Sequence, residues 1–214
     1  MTRGKLITIE GIDGAGKTTL ALALRDALTD WGVDARLLRE PGGVKAAELI
    51  RELVKDPGLR IGARAEALMY AAARAQLVEE AIEPLLADGT CVLLDRFVDS
   101  SLAYQGGGRE LGIEPIRAIN EFAIQSLQPD LTLLLLLDPR LGRSRSRERE
   151  APPDRLEREH DEFFERIAAA YAELAEADPR RIRTLDASQT PDEVLRAALS
   201  VIADALGLGG TDPA

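Results

Sequence analysis

The chain of 214 residues is poor in cysteine and histidine and has no long apolar run, and each scarcity excludes a class of protein. Its one cysteine, Cys91, cannot form an intramolecular disulfide, so a disulfide-stabilised secreted domain is not predicted. The longest apolar run, residues 131–137, is too short to cross a bilayer. The residues after Met1 lack the apolar stretch of a secretory signal. These absences predict a globular cytoplasmic protein without a membrane partner.

Positive charge is also scarce, with 27 Lys and Arg against 37 Asp and Glu and a net charge of −10. Such a surface disfavours binding to nucleic acids, because phosphate contacts supply most of that affinity. The exception is the segment 140–150, where five Arg and two Glu give a local charge of +3. The only histidine, His160, follows in an acidic stretch and is interpreted as a surface residue.

Short apolar segments alternate with helical patterns along the chain, which is typical of a parallel α/β sheet. We predict strands at 6–10, 35–39, 91–95, 131–138 and 181–186. We predict helices at 17–30, 46–55, 63–87, 115–127, 156–176 and 191–206. The predicted fold class is therefore three-layer α/β, with a five-stranded parallel sheet flanked by helices.

No internal repeat or long linker divides the chain, so residues 1–214 are expected to form a single domain. Three segments stand apart from the regular elements. The glycine run 106–108 is interpreted as a mobile loop. The Arg-rich segment of about 140–156, with Pro152 and Pro153, is interpreted as an inserted, hinged lid, and residues 207–214 as a frayed tail.

The segment between the first predicted strand and helix matches the phosphate-binding pattern G-x-x-x-x-G-K-[ST]. Its glycines allow backbone N–H groups to surround phosphate oxygens, and the start of the helix adds its positive dipole end. Lys17, expected on an exposed loop, can reach the β- and γ-phosphates, and the Thr18 hydroxyl can bind Mg²⁺. The sequence therefore predicts a P-loop that binds ATP with Mg²⁺ through Gly11, Ile12, Asp13, Gly14, Ala15, Gly16, Lys17 and Thr18.

A second basic side chain, Arg96, directly follows the strand that ends at Asp95. Open α/β sheets bind ligands at the carboxyl ends of their strands, and an arginine there suits a phosphate better than a metal. The guanine-reading pattern N-K-x-D cannot occur, because the only asparagine, Asn120, is followed by Glu121. These features favour a kinase that transfers a phosphoryl group between two phosphorylated molecules.

Four motifs, in this order, resemble those of bacterial-type thymidylate kinases, and the resemblance extends from Lys5 to about Leu206. They are the P-loop and the segments 39–43, 70–76 and 95–106. The resemblance implies transfer of the γ-phosphate of ATP to dTMP, giving dTDP and ADP for dTTP synthesis, with Mg²⁺ as cofactor and a homodimer as the assembly. The chain departs from the usual pattern at Val44, Tyr70, Phe97 and Ser101.

The resemblance also implies roles for residues at the phosphate end of the site. Arg96, with Arg51 nearby, would bind the phosphate of dTMP. Asp13 would meet the sugar 3′-hydroxyl and help to organise Mg²⁺. The metal itself would be held by Thr18 and, through water, by Asp95.

At the base end, the resemblance implies that Tyr70 stacks on thymine and that Arg74 hydrogen-bonds it. The spacing agrees on one point, because residues four apart on a helix share a face and can address one ligand. Further dTMP contacts are implied for Glu40, Pro41, Ser101, Tyr104 and Gln105.

Phosphoryl transfer needs cations on the moving group, and the P-loop itself contains no arginine. The alternating arginines 143, 145, 147 and 149 could supply them, but on a helix only one pair can face the transferred group. The resemblance favours Arg149 and Arg155, beside Lys17 and Arg96, as the catalytic residues. The alternative is a solvated charged face paired with neighbouring glutamates.

Two other functions stay open at this point. One is a kinase for another nucleoside monophosphate, and the other is a P-loop ATPase that serves as a regulatory or assembly module. Only a kinase requires a nucleoside monophosphate to form ADP, so acceptor dependence separates the two classes.

Overall fold

The computed structural model describes residues 2–148 and 154–207, and its centre is a five-stranded parallel sheet in the order β2-β3-β1-β4-β5. The strands are β1 (Leu6–Gly11), β2 (Ala35–Arg39), β3 (Cys91–Asp95), β4 (Leu131–Leu136) and β5 (Ile182–Asp186). This architecture confirms the predicted fold class. It was predictable because central strands of a parallel sheet are buried on both faces and therefore appear in the sequence as nearly continuous apolar segments.

Helices join the strands and cover the sheet. They are α1 (Lys17–Asp30), α2 (Lys45–Lys55), α3 (Ala63–Leu77), α4 (Glu83–Ala87), α5 (Val98–Ser101), α6 (Ile113–Ile124), α7 (Pro139–Arg147), α8 (Asp161–Ala177) and α9 (Pro191–Leu206). A π-helical turn, Val78–Ile82, joins α3 to α4, and a π-helical segment, Leu102–Gly108, continues α5. Among the described helices, none combines the length and apolar character of a membrane span.

The sheet places three functional loops at one edge. β1, buried along its whole length, lies between β3 and β4, and Ile9 pairs with Asp95. Arg39 on β2 pairs with the same Asp95 from the other side. Because all three strands are parallel, the P-loop after β1, Glu40 after β2 and Arg96 after β3 meet at the carboxyl edge.

The glycine run 106–108 belongs to the π-helical segment, so the prediction of a mobile loop is wrong. These glycines permit close packing against α8. A Cβ on Gly107 would lie 2.7 Å from the Cβ of Ala170, and one on Gly108 would lie 2.7 Å from the ring of Phe163. Phe163 belongs to a buried stripe on α8 that packs into the core.

The helix predicted at 156–176 begins later, at Asp161. Before it lies a separate turn, in which the Asp154 carboxylate accepts the backbone N–H groups of Leu156 and Glu157 at 2.9 and 3.0 Å. Within the predicted lid, residues 149–153, and with them Arg149, lie outside the described residues, as does the predicted tail beyond residue 207.

Candidate functional site

A cavity of about 760 Å³ lies at the carboxyl edge of the sheet. The loops after β1, β2 and β3 contribute to its wall, together with α3, the π-helical segment and the lid. Most of the predicted site residues line it, namely Asp13, Gly14, Gly16, Lys17, Thr18, Glu40, Pro41, Arg51, Tyr70, Arg74, Asp95, Arg96, Ser101, Tyr104 and Gln105. The fold thus brings the P-loop and the residues of the other motifs to one enclosure.

The P-loop winds through left-handed glycines, with φ of 80° at Gly14 and 92° at Gly16, and α1 begins directly after it. Gly14 also meets the lid helix α7, since a Cβ there would lie 2.1 Å from the carbonyl oxygen of Gly142. The predicted nucleotide contacts Gly11, Ile12 and Ala15 do not line the cavity, and the side chains of the latter two are buried in the core.

Lys17 is buried, contrary to the sequence-based expectation of an exposed loop position. Its amine donates a hydrogen bond to the carbonyl of Ile12 at 2.8 Å. Burial and the nearby Arg96 lower the pKa of Lys17 to about 8, although Asp13 opposes the shift. An anion that enters the loop would therefore stabilise the protonated form of Lys17.

Two side-chain oxygens that could bind a metal ion lie together beside the P-loop. The Thr18 hydroxyl donates to Asp95 Oδ2 at 2.8 Å. Across the described ranges, no three side chains of His, Cys, Asp or Glu converge as a metal cage. Mg²⁺ prefers oxygen ligands and commonly takes one or two from the protein and the rest from water and phosphates, so this pair fits it.

Arg96 joins the ends of β1 and β3. Its guanidinium donates to the carbonyl of Gly11 at 3.0 Å and to Asp13 Oδ1 at 2.7 Å, and it lies 4.9 Å from the ring centre of Tyr104. Burial alone would raise the pKa of Asp13, but Arg96 and then Lys17 lower it to about 2. Arg96 has φ 72°, a strained value for a residue with a side chain, and such strain concentrates at functional sites.

Arg74 is 2% exposed and pairs with the buried Glu40 at 2.6 Å. It also donates to Ser101 Oγ at 3.0 Å and to the carbonyl of Phe97 at 2.9 Å, and it bonds Asn120. The five N–H groups of a guanidinium are thereby all directed at protein groups. The predicted hydrogen bond from Arg74 to a base would need one of these donors to be shared.

The described lid arginines go to different places. Arg145 lines the cavity and donates to the carbonyl of Ala187 at 3.0 Å, whereas Arg143 pairs with Asp161 on α8 at 2.6 Å. Arg155, predicted to be catalytic, does not line the cavity and lies 2.7 Å from buried Glu66. Glu66 carried no signal in the sequence, since an isolated glutamate near a helix start looks like a surface residue.

Sequence reasoning also missed several residues of the cavity wall. Arg39 and Ser100 lie within the recognised motifs 39–43 and 95–106, so the motifs themselves are a signal that could have found them. Lys55 and Asp154 form an ion pair of 2.8 Å between the end of α2 and the lid, and no local pattern marks such a long-range contact.

Comparison with known proteins agrees with this geometry. A family model described as thymidylate kinase matches residues 9–198. A thymidylate kinase of Oenococcus oeni is 49% identical over 211 residues, which are 96% of this chain and 98% of that protein. One of Halorhodospira halophila is 45% identical over 210 residues, covering 97% of this chain and 98% of that protein.

A solved structure extends the comparison to three dimensions. The thymidylate kinase of Ehrlichia chaffeensis superposes with a TM-score of 0.78 at 27% identity, covering 94% of this chain and 98% of that one. The chain therefore belongs to the thymidylate kinase family.

Proposed function

We propose that the chain is an ATP-dependent dTMP kinase that transfers the γ-phosphate of ATP to dTMP, giving dTDP and ADP. One observation carries the proposal. A single cavity is lined both by a P-loop and by the acceptor residues of the family motifs, with Arg96 bonded directly to the loop. A P-loop ATPase without a second substrate would have no need for acceptor residues in the same cavity.

The reaction requires positioning and charge stabilisation, and no covalent intermediate. The attacking oxygen of a monophosphate is already anionic, so no general base is required. Lys17 would bind the β- and γ-phosphates, and Arg96 would hold the acceptor phosphate against them. Mg²⁺, bound next to Thr18 and Asp95, would neutralise charge on the phosphates of ATP. These fixed charges stabilise the transition state more than the ground state.

The remaining roles follow the family motifs and the cavity wall. Asp13 and Tyr104 would contact the sugar of dTMP, and Arg51 its phosphate. Tyr70 would stack on the base, with Glu40, Pro41, Ser101 and Gln105 around it. Arg145 is a lid arginine that lines the cavity and can approach the ATP side. The catalytic roles of Arg149 and Arg155 stay predictions, and Arg155 lies against Glu66 in this structure.

We further propose that the chain works as a single domain within a cytoplasmic homodimer that supports dTTP synthesis. The support for a dimer is the exposure of large apolar side chains on two helices that pack together, where Leu49, Leu53 and Leu68 are 56, 48 and 56% exposed. Support for the cytoplasm is the lone, buried thiol of Cys91.

The test is ADP release from ATP and Mg²⁺ in the presence of dTMP, dUMP, dCMP or dGMP, or without acceptor. We expect release that depends on an acceptor and is fastest with dTMP. A Lys17→Ala variant should lose transfer. Equal ADP release without any monophosphate would favour the assembly ATPase, and dCMP as the best acceptor would favour another kinase of the class.

A further inference from the structure

Glu66 is a charged residue with none of its surface exposed to solvent. It lies in the first turn of α3, where the helix N-terminus favours a negative charge. Tyr70 and Arg74 follow at intervals of four residues and so lie along the same side of the helix. Both line the cavity, whereas Glu66 stands just behind its wall.

Three side chains converge on the Glu66 carboxylate. Gln105 donates from Nε2 to Oε1 at 2.9 Å, and Arg109 donates from Nη2 to Oε2 at 3.0 Å. Arg155 places its Nη2 at 2.7 Å from Oε2. Arg109 also pairs with Glu159 at 2.5 Å and would keep that partner without Glu66. Loss of the Glu66 carboxylate would instead leave Arg155 without its ion pair and Gln105 without its acceptor, so the positions of these two partners depend on it.

The contact with Gln105 fixes the direction of its carboxamide. A carboxamide has a donor and an acceptor end, and a flip exchanges them. Because Nε2 donates to Glu66, the carboxamide of Gln105 has a single orientation at the cavity wall, in which Oε1 is available to a ligand as an acceptor. Thymine carries a donor at N3 where cytosine carries an acceptor, so an amide that cannot flip discriminates between the two bases.

The contact with Arg155 fixes the end of the lid. Arg155 donates from Nε to the carbonyl of Val54 at 2.9 Å and from its backbone to that of Lys55 at 3.3 Å. The last carbonyls of a helix lack partners within the helix, so Arg155 caps α2 while it pairs with Glu66. The lid is thereby anchored to the two helices that hold the acceptor residues Arg51 and Tyr70.

We propose that Glu66 is a positioning residue that sets both the amide of Gln105 and the anchor of the lid. Base selection and lid placement then depend on one enclosed carboxylate that touches neither substrate. The identity of the acceptor in this inference rests on the proposed function.

Two variants test it. Glu66→Gln keeps the size, removes the charge and permits the Gln105 amide to flip. Glu66→Asp keeps the charge and withdraws the carboxylate by one methylene. Binding of dTMP and dCMP is measured by calorimetry, with and without a non-hydrolysable ATP analogue. In both variants we expect the dTMP-to-dCMP affinity ratio to fall about tenfold, the worth of one hydrogen bond, and the effect of the analogue on dTMP binding to weaken.

The matched control is Glu114→Gln, an exposed glutamate on α6, which should bind both nucleotides as the wild type does. Circular dichroism and thermal unfolding establish whether the variants fold. If Glu66→Gln does not fold, the affinity ratio of Glu66→Asp tests the proposal. Wild-type selectivity in a folded variant, or a lower Tm as the only change, would overturn the proposal. A wild-type chain that binds dTMP selectively without phosphorylating it would instead contradict the proposed function.

Discussion

Arg96 connects the two halves of the site through a single side chain. Its guanidinium bonds the P-loop at Gly11 and Asp13 and also faces Tyr104, and its backbone is held in a left-handed conformation at the end of β3. A residue in this position can hold an acceptor phosphate beside the triphosphate loop.

Replacement of Arg96 should damage the acceptor end more than the ATP end. For Arg96→Ala we expect a higher KM for dTMP and a lower kcat, with kcat/KM reduced by up to about a hundredfold, because a charge-assisted contact contributes roughly 1.5–3 kcal/mol. Steady-state kinetics with each substrate varied measures this, and Arg117→Ala, on the surface of α6, is the control. Collapse of ATP affinity with normal dTMP affinity would place Arg96 in the other site.

Lys17 predicts a pH dependence of ATP binding. With a pKa of about 8 in the free protein, the amine loses its proton as the pH rises through 8, and bound phosphates restore it. ATP affinity should therefore decline above pH 8, and binding at pH 8.5 should take up protons. Calorimetry in buffers of different ionisation enthalpy measures the uptake. It should disappear in Lys17→Arg, which stays charged, and identical uptake in that variant would refute the assignment.

Among the elements, the lid helix α7 packs closely against the phosphate loop. Gly14 in the loop and Gly142 in α7 meet through their backbones, which is possible only because neither carries a side chain. A small movement of α7 would therefore be transmitted to the P-loop.

A Gly142→Ala variant tests this contact. The added Cβ would lie 2.6 Å from the carbonyl oxygen of Asp13, so α7 or the loop must shift. Alanine favours a helix by about 1 kcal/mol over glycine, so a loss of function could not come from helix propensity. We expect the KM for ATP to rise about tenfold, within the usual cost of overpacking. Ser144→Ala, exposed on the same helix, is the control, and an unchanged KM in Gly142→Ala would contradict the contact.

Elements whose signals are local were predictable from the sequence, and those that depend on distant contacts were not. The strand β3 and the P-loop each have a sequence pattern confined to consecutive residues, and both lie where they were predicted. The π-helical segment Leu102–Gly108 was missed, because only its packing on α8 distinguishes it from a glycine loop. Glu66 was missed for the same reason, since its partners lie about 40 to 90 residues away.

Across the whole molecule, charge is distributed unevenly. The chain carries a net charge of −10, yet basic residues outnumber acidic ones in the cavity wall. The basic residues are Lys17, Arg39, Arg51, Lys55, Arg74, Arg96 and Arg145, and the acidic ones are Asp13, Glu40, Asp95, Asp154 and Glu157. Basic groups within a concave site focus the electrostatic field, so nucleotides are attracted to the cavity although the surface as a whole repels them. This distribution also explains why an acidic protein can bind two anionic substrates.

The proposed dimer can be tested at the exposed leucines of α2 and α3. Sedimentation velocity should give the wild type the mass of two chains. The double variant Leu53→Glu, Leu68→Glu should sediment as one chain, because buried carboxylates oppose an apolar interface. Leu22→Glu, at an exposed leucine of α1, is the control and should stay dimeric. A wild type with the mass of one chain would contradict the proposed assembly.

The central claim is that the protein transfers the γ-phosphoryl group of ATP to dTMP within this cavity. A competition measurement tests the claim most directly. Equal amounts of dTMP, dUMP and dCMP are mixed with ATP, Mg²⁺ and the protein, and the diphosphate products are separated at early times. Their ratio gives the ratio of kcat/KM values without separate rate measurements. We predict that dTDP exceeds dCDP by about tenfold or more, since a mispaired polar group costs at least one hydrogen bond. The excess of dTDP over dUDP should be smaller, because uracil keeps the polar groups of thymine and lacks only its C5 methyl group. Formation of dCDP as the main product, or of ADP without any diphosphate, would contradict the account.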